Sequence, residues 1–434
     1  MSMEEISYAE NTASLNELYK RHTLSEKAEI SGILAGSYNS TPGAFEDFAE
    51  DAEEKLMINF DAFVCKNGHM ISSDAIKISN AGKSKPLHES IPYMLSSSDS
   101  EYLTMLKEKV DKRIEIEINE GENQSLSIAL SNFKSPIVSN IEIVAGKNSN
   151  LKLFVLFLSE QKRASLNASS LRVVAEAGAS AEINILHNED ENTHALHFSS
   201  FSLEDRSSLL LNSTYIGSKS SIVRNFASLR GEHSNFRSSS SIVLSQEQKI
   251  DMFNSSLNLG IGSSYFGDVH AILSGNSLGF VKDMSSIAPN SKGASAYIKE
   301  RAIMASQKAR ISLLPDMSIN ENDVKATHSA ASAPIEEESL FYLMSKGLPR
   351  IVAESMILEG FVSDNISTII DPIARSIILS HLHAKVISGE FGKLVNNSTA
   401  GAWSNTNAKK EMFEGGAKYS GQEKEQEDSS LRHK

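Results

Sequence analysis

Two periods of apolar and polar positions divide the chain. From Ile114-Glu115-Ile116-Glu117-Ile118 the pattern alternates with a period of two, as half-buried strands require. Further strand-like runs follow at 141–144, 151–158, 171–175, 181–186, 209–215, 222–227, 238–244 and 251–259, with almost no helical pattern between them. Turn clusters precede them, among them Gly146-Lys147-Asn148, Gly178-Ala179-Ser180, Gly217-Ser218-Lys219, Gly231-Glu232-His233 and Gly275-Asn276-Ser277. Past residue 200 these signals return about every 13 to 16 residues, one strand and one turn of a stacked repetitive architecture. That predicts a mainly β fold with a β-solenoid core. Rungs of such a core bond to one another at about 4.8 Å, and alternate residues fill a continuous interior. A sandwich or propeller of short strands shares these signals, so periodicity alone leaves them open.

Helical spacing frames the β segment. Phe45, Phe48, Ala52 and Leu56 recur as one helix face, and Leu103, Leu106 and Val110 as another. After residue 331, Glu336-Glu337-Glu338 supply an acidic first turn, Leu340, Phe341, Leu343 and Met344 an apolar face, and Lys346-Gly347 a stop. A second helix is predicted from about Pro349 to Val362. A third starts at Asp371-Pro372, a capping residue followed by a first-turn proline, and runs through Ile373, Ile377, Ile378 and Leu382. The expected organisation is a helical region at 1–112, a β core at 113–330, a helical domain at 331–392 and a polar tail at 393–434.

Composition narrows the function classes. The chain has 434 residues and a net charge of -13, which disfavours a general nucleic-acid binder because phosphates demand a local excess of Lys and Arg. No apolar run approaches the roughly 20 residues that span a bilayer, and the acidic, polar start does not read as a signal peptide. Cys65 is the only cysteine, so neither an intramolecular disulfide nor a cysteine zinc site can form within one chain. A reducing cytoplasm is the expected location, and Cys65 reads as a buried hydrophobe.

Most apparent motifs carry little. Gly275-Asn276-Ser277-Leu278-Gly279 fits G-x-S-x-G, but strand-like sequence follows it, whereas a nucleophile elbow needs a helix there. Gly260-Ile261-Gly262 is likewise followed by no helix, and the sequence contains no Walker A motif. His187, His194 and His197, with Glu189, Asp190 and Glu191 among them, offer oxygen and nitrogen donors for a metal, yet the polarity of the run reads as a solvated loop. No carboxylate pair stands out for glycoside hydrolysis, the chemistry of a β-helical carbohydrate-active enzyme.

The junction of β core and C-terminal helices is more specific. It reads Asp323-Val324-Lys325-Ala326-Thr327-His328, then Glu336 through Leu340-Phe341-Tyr342-Leu343-Met344-Ser345-Lys346-Gly347, then Ala353 to Gly360-Phe361. This resembles the signature of the SufB/SufD family, in which DVK-x-x-H precedes an acidic-start helix with an LFYL-x-S-[RK]-G core. The resemblance implies a right-handed parallel β-helix flanked by helical domains. It further implies a non-enzymatic, SufD-like subunit that pairs with a SufB-like chain, or with itself, through the β-helix.

In that family the C-terminal helices dock the SufC ATPase, which places Leu340, Phe341, Tyr342, Gly347, Met356 and Phe361 on the expected ATPase-binding element. His328 matches the family's interface histidine, a candidate ligand of a transient iron–sulfur cluster shared with the partner. The family's thiol positions fall here on Ala326 and, by spacing, Glu300, neither of which can accept persulfide sulfur. Glu300 offers an oxygen ligand to iron, although its place in the pattern reads as a solvated strand end. These losses argue for the SufD-like role over a homodimeric scaffold that builds cluster alone.

Overall fold

The computed structural model describes residues 62–66, 69–70, 76–80, 106, 110, 112–132, 137–159 and 164–388. Three short strands come first: β1 (Ala62–Lys66), β2 (His69–Met70) and β3 (Ile76–Asn80). Sixteen longer strands then alternate between two sheets. One sheet carries β5 (Asn123–Asn132), β7 (Asn150–Ser159), β9 (Ser180–Asn188), β11 (Ser208–Tyr215), β13 (Asn235–Leu244), β15 (Ser264–Leu273), β17 (Ser295–Met304) and β19 (Lys325–Pro334). The other carries β4 (Lys112–Ile118), β6 (Ile137–Ala145), β8 (Ser165–Ala175), β10 (Thr193–Leu203), β12 (Ser220–Leu229), β14 (Lys249–Asn258), β16 (Leu278–Ile287) and β18 (Arg310–Ile319). Within each sheet these strands pair in parallel, so the chain winds as a parallel β-solenoid.

Alternation explains the winding. Ile114, Ile116 and Ile118 of β4 share the interior with Leu153, Val155 and Phe157 of β7 and Ile183 and Ile185 of β9, all nearly or fully buried. Each such side chain removed from water contributes about 1.5–3 kcal/mol, and the stack repeats it rung after rung. At one corner Asn148, Gly178, Arg206, His233, Gly262 and Gly293 all have positive φ and lie 27 to 31 residues apart, which sets the length of a rung. Gly275 has φ 66 in the turn between β15 and β16, so the apparent nucleophile elbow is a strand-to-strand turn.

Gly231 shows how closely the rungs stack. A Cβ there would lie 2.0 Å from the backbone of Glu204 and Asp205. Gly231→Ala is therefore expected to lower stability by roughly 1–3 kcal/mol, as overpacking does, read as a drop in the urea midpoint.

Helices α1 (Glu337–Ser345), α2 (Arg350–Ile366) and α3 (Pro372–Ser388) follow the last strand. Leu358, Val362, Ile366, Ile378 and Leu382 cover Phe154, Leu156, Leu186, Val243 and Ile272 on the outer face of the odd-stranded sheet. Polar contacts fix the position. Thr368 Oγ1 donates to Asn212 Oδ1 at 2.8 Å, Asn365 Nδ2 to the Ser240 carbonyl at 2.9 Å, and the Ile370 amide to Glu182 Oε1 at 2.7 Å. Asp371 Oδ1 accepts the Ile373 amide at 2.9 Å, the cap its sequence predicts. Gly347 ends α1 with φ 92. Among the described residues no helix is long and apolar enough to cross a membrane.

The N-terminal expectation needs revising. β1 to β3 lie inside the stretch read as helical, and the helix face at 45–56 falls outside the described residues. Leu106 and Val110 are buried against Val138, Leu166 and Leu196 on the outer face of the even-stranded sheet. β1 pairs antiparallel with β5, and β3 antiparallel with β4, so the solenoid is capped at this end. At the other end β18 and β19 are edge strands.

Candidate functional site

The uncapped end gathers the chemistry. Register gives side-chain direction here, because paired residues of parallel strands point to the same face. Ala296, Ile298, Glu300 and Ala302 of β17 alternate as its buried positions. His328 of β19 pairs with Ile298, and Ala330 with Glu300, so His328 belongs to the inward column, yet among the described residues no further rung covers it and it is exposed. One strand spacing and two residues along the strand separate the His328 and Glu300 backbones, roughly 8 Å.

Glu300 does not sit at a solvated strand end. It is fully buried in the lumen, and neither carboxyl oxygen has a hydrogen-bond partner of good geometry among the described residues. Across from it Asp283, also fully buried, follows Val281 on the inward face of β16 and accepts the Tyr265 hydroxyl at 2.8 and 3.0 Å. Gly267 makes room for the pair: a Cβ there would lie 2.4 Å from Asp283 Oδ2 and 2.7 Å from the Tyr265 hydroxyl oxygen. Burial, with the Asp283 charge adding to it, pushes the Glu300 carboxyl up to about 8. Burial likewise pushes Asp283 up to about 7, against the opposing hydrogen bond from Tyr265. The pair therefore holds protons near neutrality that a divalent cation can displace. Its burial keeps this pair out of reach of a polysaccharide chain.

Asp283 and Tyr265 escaped the sequence reading. Period-two parity running through Val281, Asp283, Ser285 and Ile287 was the available signal, because it puts the carboxylate on the inward face.

The ATPase-binding candidates divide. Phe341, Tyr342 and Met356 are exposed, Phe341 at 74%, as is Met344 beside them. Leu340 is buried under α1. Phe361 is half-buried, stacked on His270 at 4.8 Å between ring centres, and its carbonyl accepts from that ring at 2.7 Å. Arg301 lies over the same aromatic ring and bonds Asp364. Phe361 thus anchors α2 to the solenoid, while the exposed aromatic face belongs to α1.

The histidine-rich run also departs from its reading as a solvated loop. Residues 193–203 form β10, and His187, Glu189 and His197 are all buried. His194 points away from them, to the outer face, where Nδ1 bonds Ser220 at 2.7 Å. Burial lowers His187 to about 4. It opposes ionisation of Glu189, but the two imidazoles beside that carboxyl outweigh it and hold it at about 2. β10 went unread because its inward positions include His197 and Ser199 along with Phe201 and Leu203, and polar residues in the lumen blur the alternation. Cys65 lies in β1, and its side chain falls outside the described residues.

The family model for SUF system FeS cluster assembly, SufBD core domain, matches residues 129–361, more than half of the chain. The chain belongs to this family. It is similar to the iron–sulfur cluster assembly protein SufD of Bacillus subtilis, 27% identical over 123 residues, which is 28% of each chain. A SufBD family protein of Pyrococcus horikoshii is 24% identical over 253 residues, covering 58% of this chain and 56% of the relative. One from Archaeoglobus fulgidus is 33% identical over 90 residues, 21% of this chain and 24% of the relative. The matches thus span little more than half of these relatives at most. This SufBD family member is built on a parallel solenoid, with His328 exposed on the edge strand β19.

Proposed function

We propose that this SufBD chain is a non-enzymatic, SufD-like subunit that pairs with a SufB-like chain through the open end of its solenoid. A SufC-like ATPase docks on α1, and assembly takes place in the cytoplasm. The observation that carries the reading is the asymmetry of the two ends. β1 and β3 close one end, whereas β19, with nearly every residue exposed, presents an open strand edge beside His328. A long unpaired edge is a template for another strand, and natural proteins cover such edges. The exposed aromatic face of Phe341 and Tyr342, rimmed by Glu336 and Glu338, supports a second contact of helix-in-groove type.

The donors near the edge are nitrogen and oxygen, suited to iron rather than to sulfur. With alanine at 326 and glutamate at 300, the thiolates that hold sulfide must come from the partner. The cluster is the cargo of the pair, and His328 contributes to it from this side.

Co-expression with tagged SufB-like and SufC-like chains tests the assembly. The expected result is recovery of all three together. A chain that stays monomeric in the presence of both overturns the pairing, and a homodimer that assembles stable cluster alone from iron and sulfide overturns the SufD-like assignment. In the assembled complex, His328→Ala is expected to leave pairing and melting temperature unchanged and to slow cluster formation, followed by visible absorption under anaerobic conditions. Cluster formation at the normal rate would make His328 structural.

A further inference from the structure

We propose that His187, Glu189 and His197 form a binding site for one divalent first-row transition-metal ion, zinc in the resting protein, in the solenoid lumen. The site lies several rungs from the open end and is separate from His328 and Glu300. It clamps the two sheets together: His187 projects inward from β9 of one sheet, His197 from β10 of the other, and Glu189 from the turn that joins them.

The geometry points to a cation. One nitrogen from each ring and one carboxylate oxygen all lie within 4.8 Å of one another. Glu189 Oε1 stands 3.3 Å from His197 Nε2 and 3.7 Å from His187 Nδ1. Donors about 2.05 Å from a tetrahedral zinc are about 3.3 Å apart along each edge of the tetrahedron. The three groups are thus nearly at the separations a metal imposes, and small side-chain movements complete them. Two histidines and one carboxylate also leave a position for water or a fourth donor, a common zinc arrangement.

Burial and orphaned atoms supply independent support. Each of the three residues is 3% exposed, and His187 Nδ1 and Glu189 Oε2 are buried without a hydrogen-bond partner. Buried polar atoms are nearly always partnered in folded proteins, so a cluster carrying two that are not is one that a ligand would satisfy. The Glu189 carboxylate brings a negative charge into the buried lumen, which a divalent ion offsets.

The surroundings fix the ligands. His187 is held flat between Phe157 and Tyr215, stacked at 4.8 and 4.5 Å. Ser169 Oγ lies 2.6 Å from His197 Nδ1, so the hydroxyl can accept a hydrogen bond from Nδ1–H, the tautomer that leaves the Nε2 lone pair for the metal. Asn167 Nδ2 reaches Glu189 Oε1 at 3.4 Å. This is the arrangement of a metal centre, with each ligand oriented by a group behind it.

The test uses the full chain with any affinity tag removed. Metal content is measured as purified. The chain is then refolded from denaturant with a chelator and titrated with Zn²⁺ alone or Co²⁺ alone, following thermal unfolding and visible absorption. About one equivalent is expected, with a rise in melting temperature and the strong absorption of tetrahedral cobalt. Glu189→Gln is expected to weaken binding by at least ~100-fold, and Ser169→Ala, which keeps all three ligands, by roughly 10–100-fold. His194→Gln should bind as the parent does. Iron(II) as the purified occupant supports the site, since the same donors serve it. No metal as purified and no response to either ion overturns the proposal, as does equal affinity in the parent and Glu189→Gln. If Glu189→Gln does not fold, unchanged affinity in Ser169→Ala overturns it.

Discussion

Ala330→Pro is expected to break the pairing proposed for this SufBD chain while leaving the chain itself folded. The reason lies in the backbone register of β19. Lys325 donates its amide to the carbonyl of Ala294, the residue just before β17, at 3.0 Å. Directions alternate along a strand, so residues 325, 327, 329, 331 and 333 face β17, whereas the amides of 326, 328, 330 and 332 face away. Proline at 330 therefore removes an outward donor and no hydrogen bond to β17. Edge positions of this kind tolerate it, and Ser329 before it is already extended.

A partner strand added to this edge would lose the bond to residue 330 and be pushed out of register beside it. Two or three hydrogen bonds at about 1 kcal/mol each correspond to roughly 30- to 150-fold in Kd. Light scattering or titration against the partner reads this directly. Ala331→Pro makes the contrast, since it removes an inward donor and should lower the melting temperature of the isolated chain. An unchanged Kd in Ala330→Pro would place the partner elsewhere.

The sequence reading found this edge through its motif rather than through its pattern. Apolar alternation located β4, β6, β7 and β9, because their interior positions are Ile, Leu and Val. It located α3 through Asp371-Pro372, whose cap the structure contains. It lost β10 where the lumen turns polar, and it read Glu300 as solvated for the same reason. Alternation marks which residues share a face, but a polar residue on the inner face looks locally like one on the outer face. For Glu300 the register of neighbouring rungs, which sets it beside Val269 and Ala330, separates the two cases. Contacts between distant segments, such as Asn365 with Ser240 or Phe361 with His270, leave no local trace at all.

Stability is expected to fall as pH rises from 5 to 9, and Glu300→Gln to remove much of that fall. Asp283 and Glu300 have ordinary values of 3.8 and 4.5, which the lumen raises to about 7 and about 8. Between the ordinary and the raised values the folded chain holds protons that the unfolded chain has released, so unfolding becomes easier with increasing pH. The two carboxyls face each other and titrate as a pair, with the Tyr265 hydroxyl hydrogen-bonded to Asp283. A shift of one pKa unit is 1.36 kcal/mol, which makes the Glu300 contribution as much as ~5 kcal/mol above pH 8.

Glutamine keeps the shape, cannot ionise, and offers its amide to Asp283. Glu300→Gln should therefore match the parent near pH 5 and exceed it by about 2–4 kcal/mol at pH 9, read as denaturant midpoints across the range. Parallel profiles for the two proteins would mean that Glu300 is neutral at every pH tested or is already neutralised by a bound cation. Iron(II) decides between these. If the pair receives iron, the ion competes with its protons, so the parent should bind more tightly at pH 8 than at pH 6, and Glu300→Gln should lose that dependence. The same buried acid that costs stability in the empty chain is then what makes the open end of the solenoid attractive to the metal.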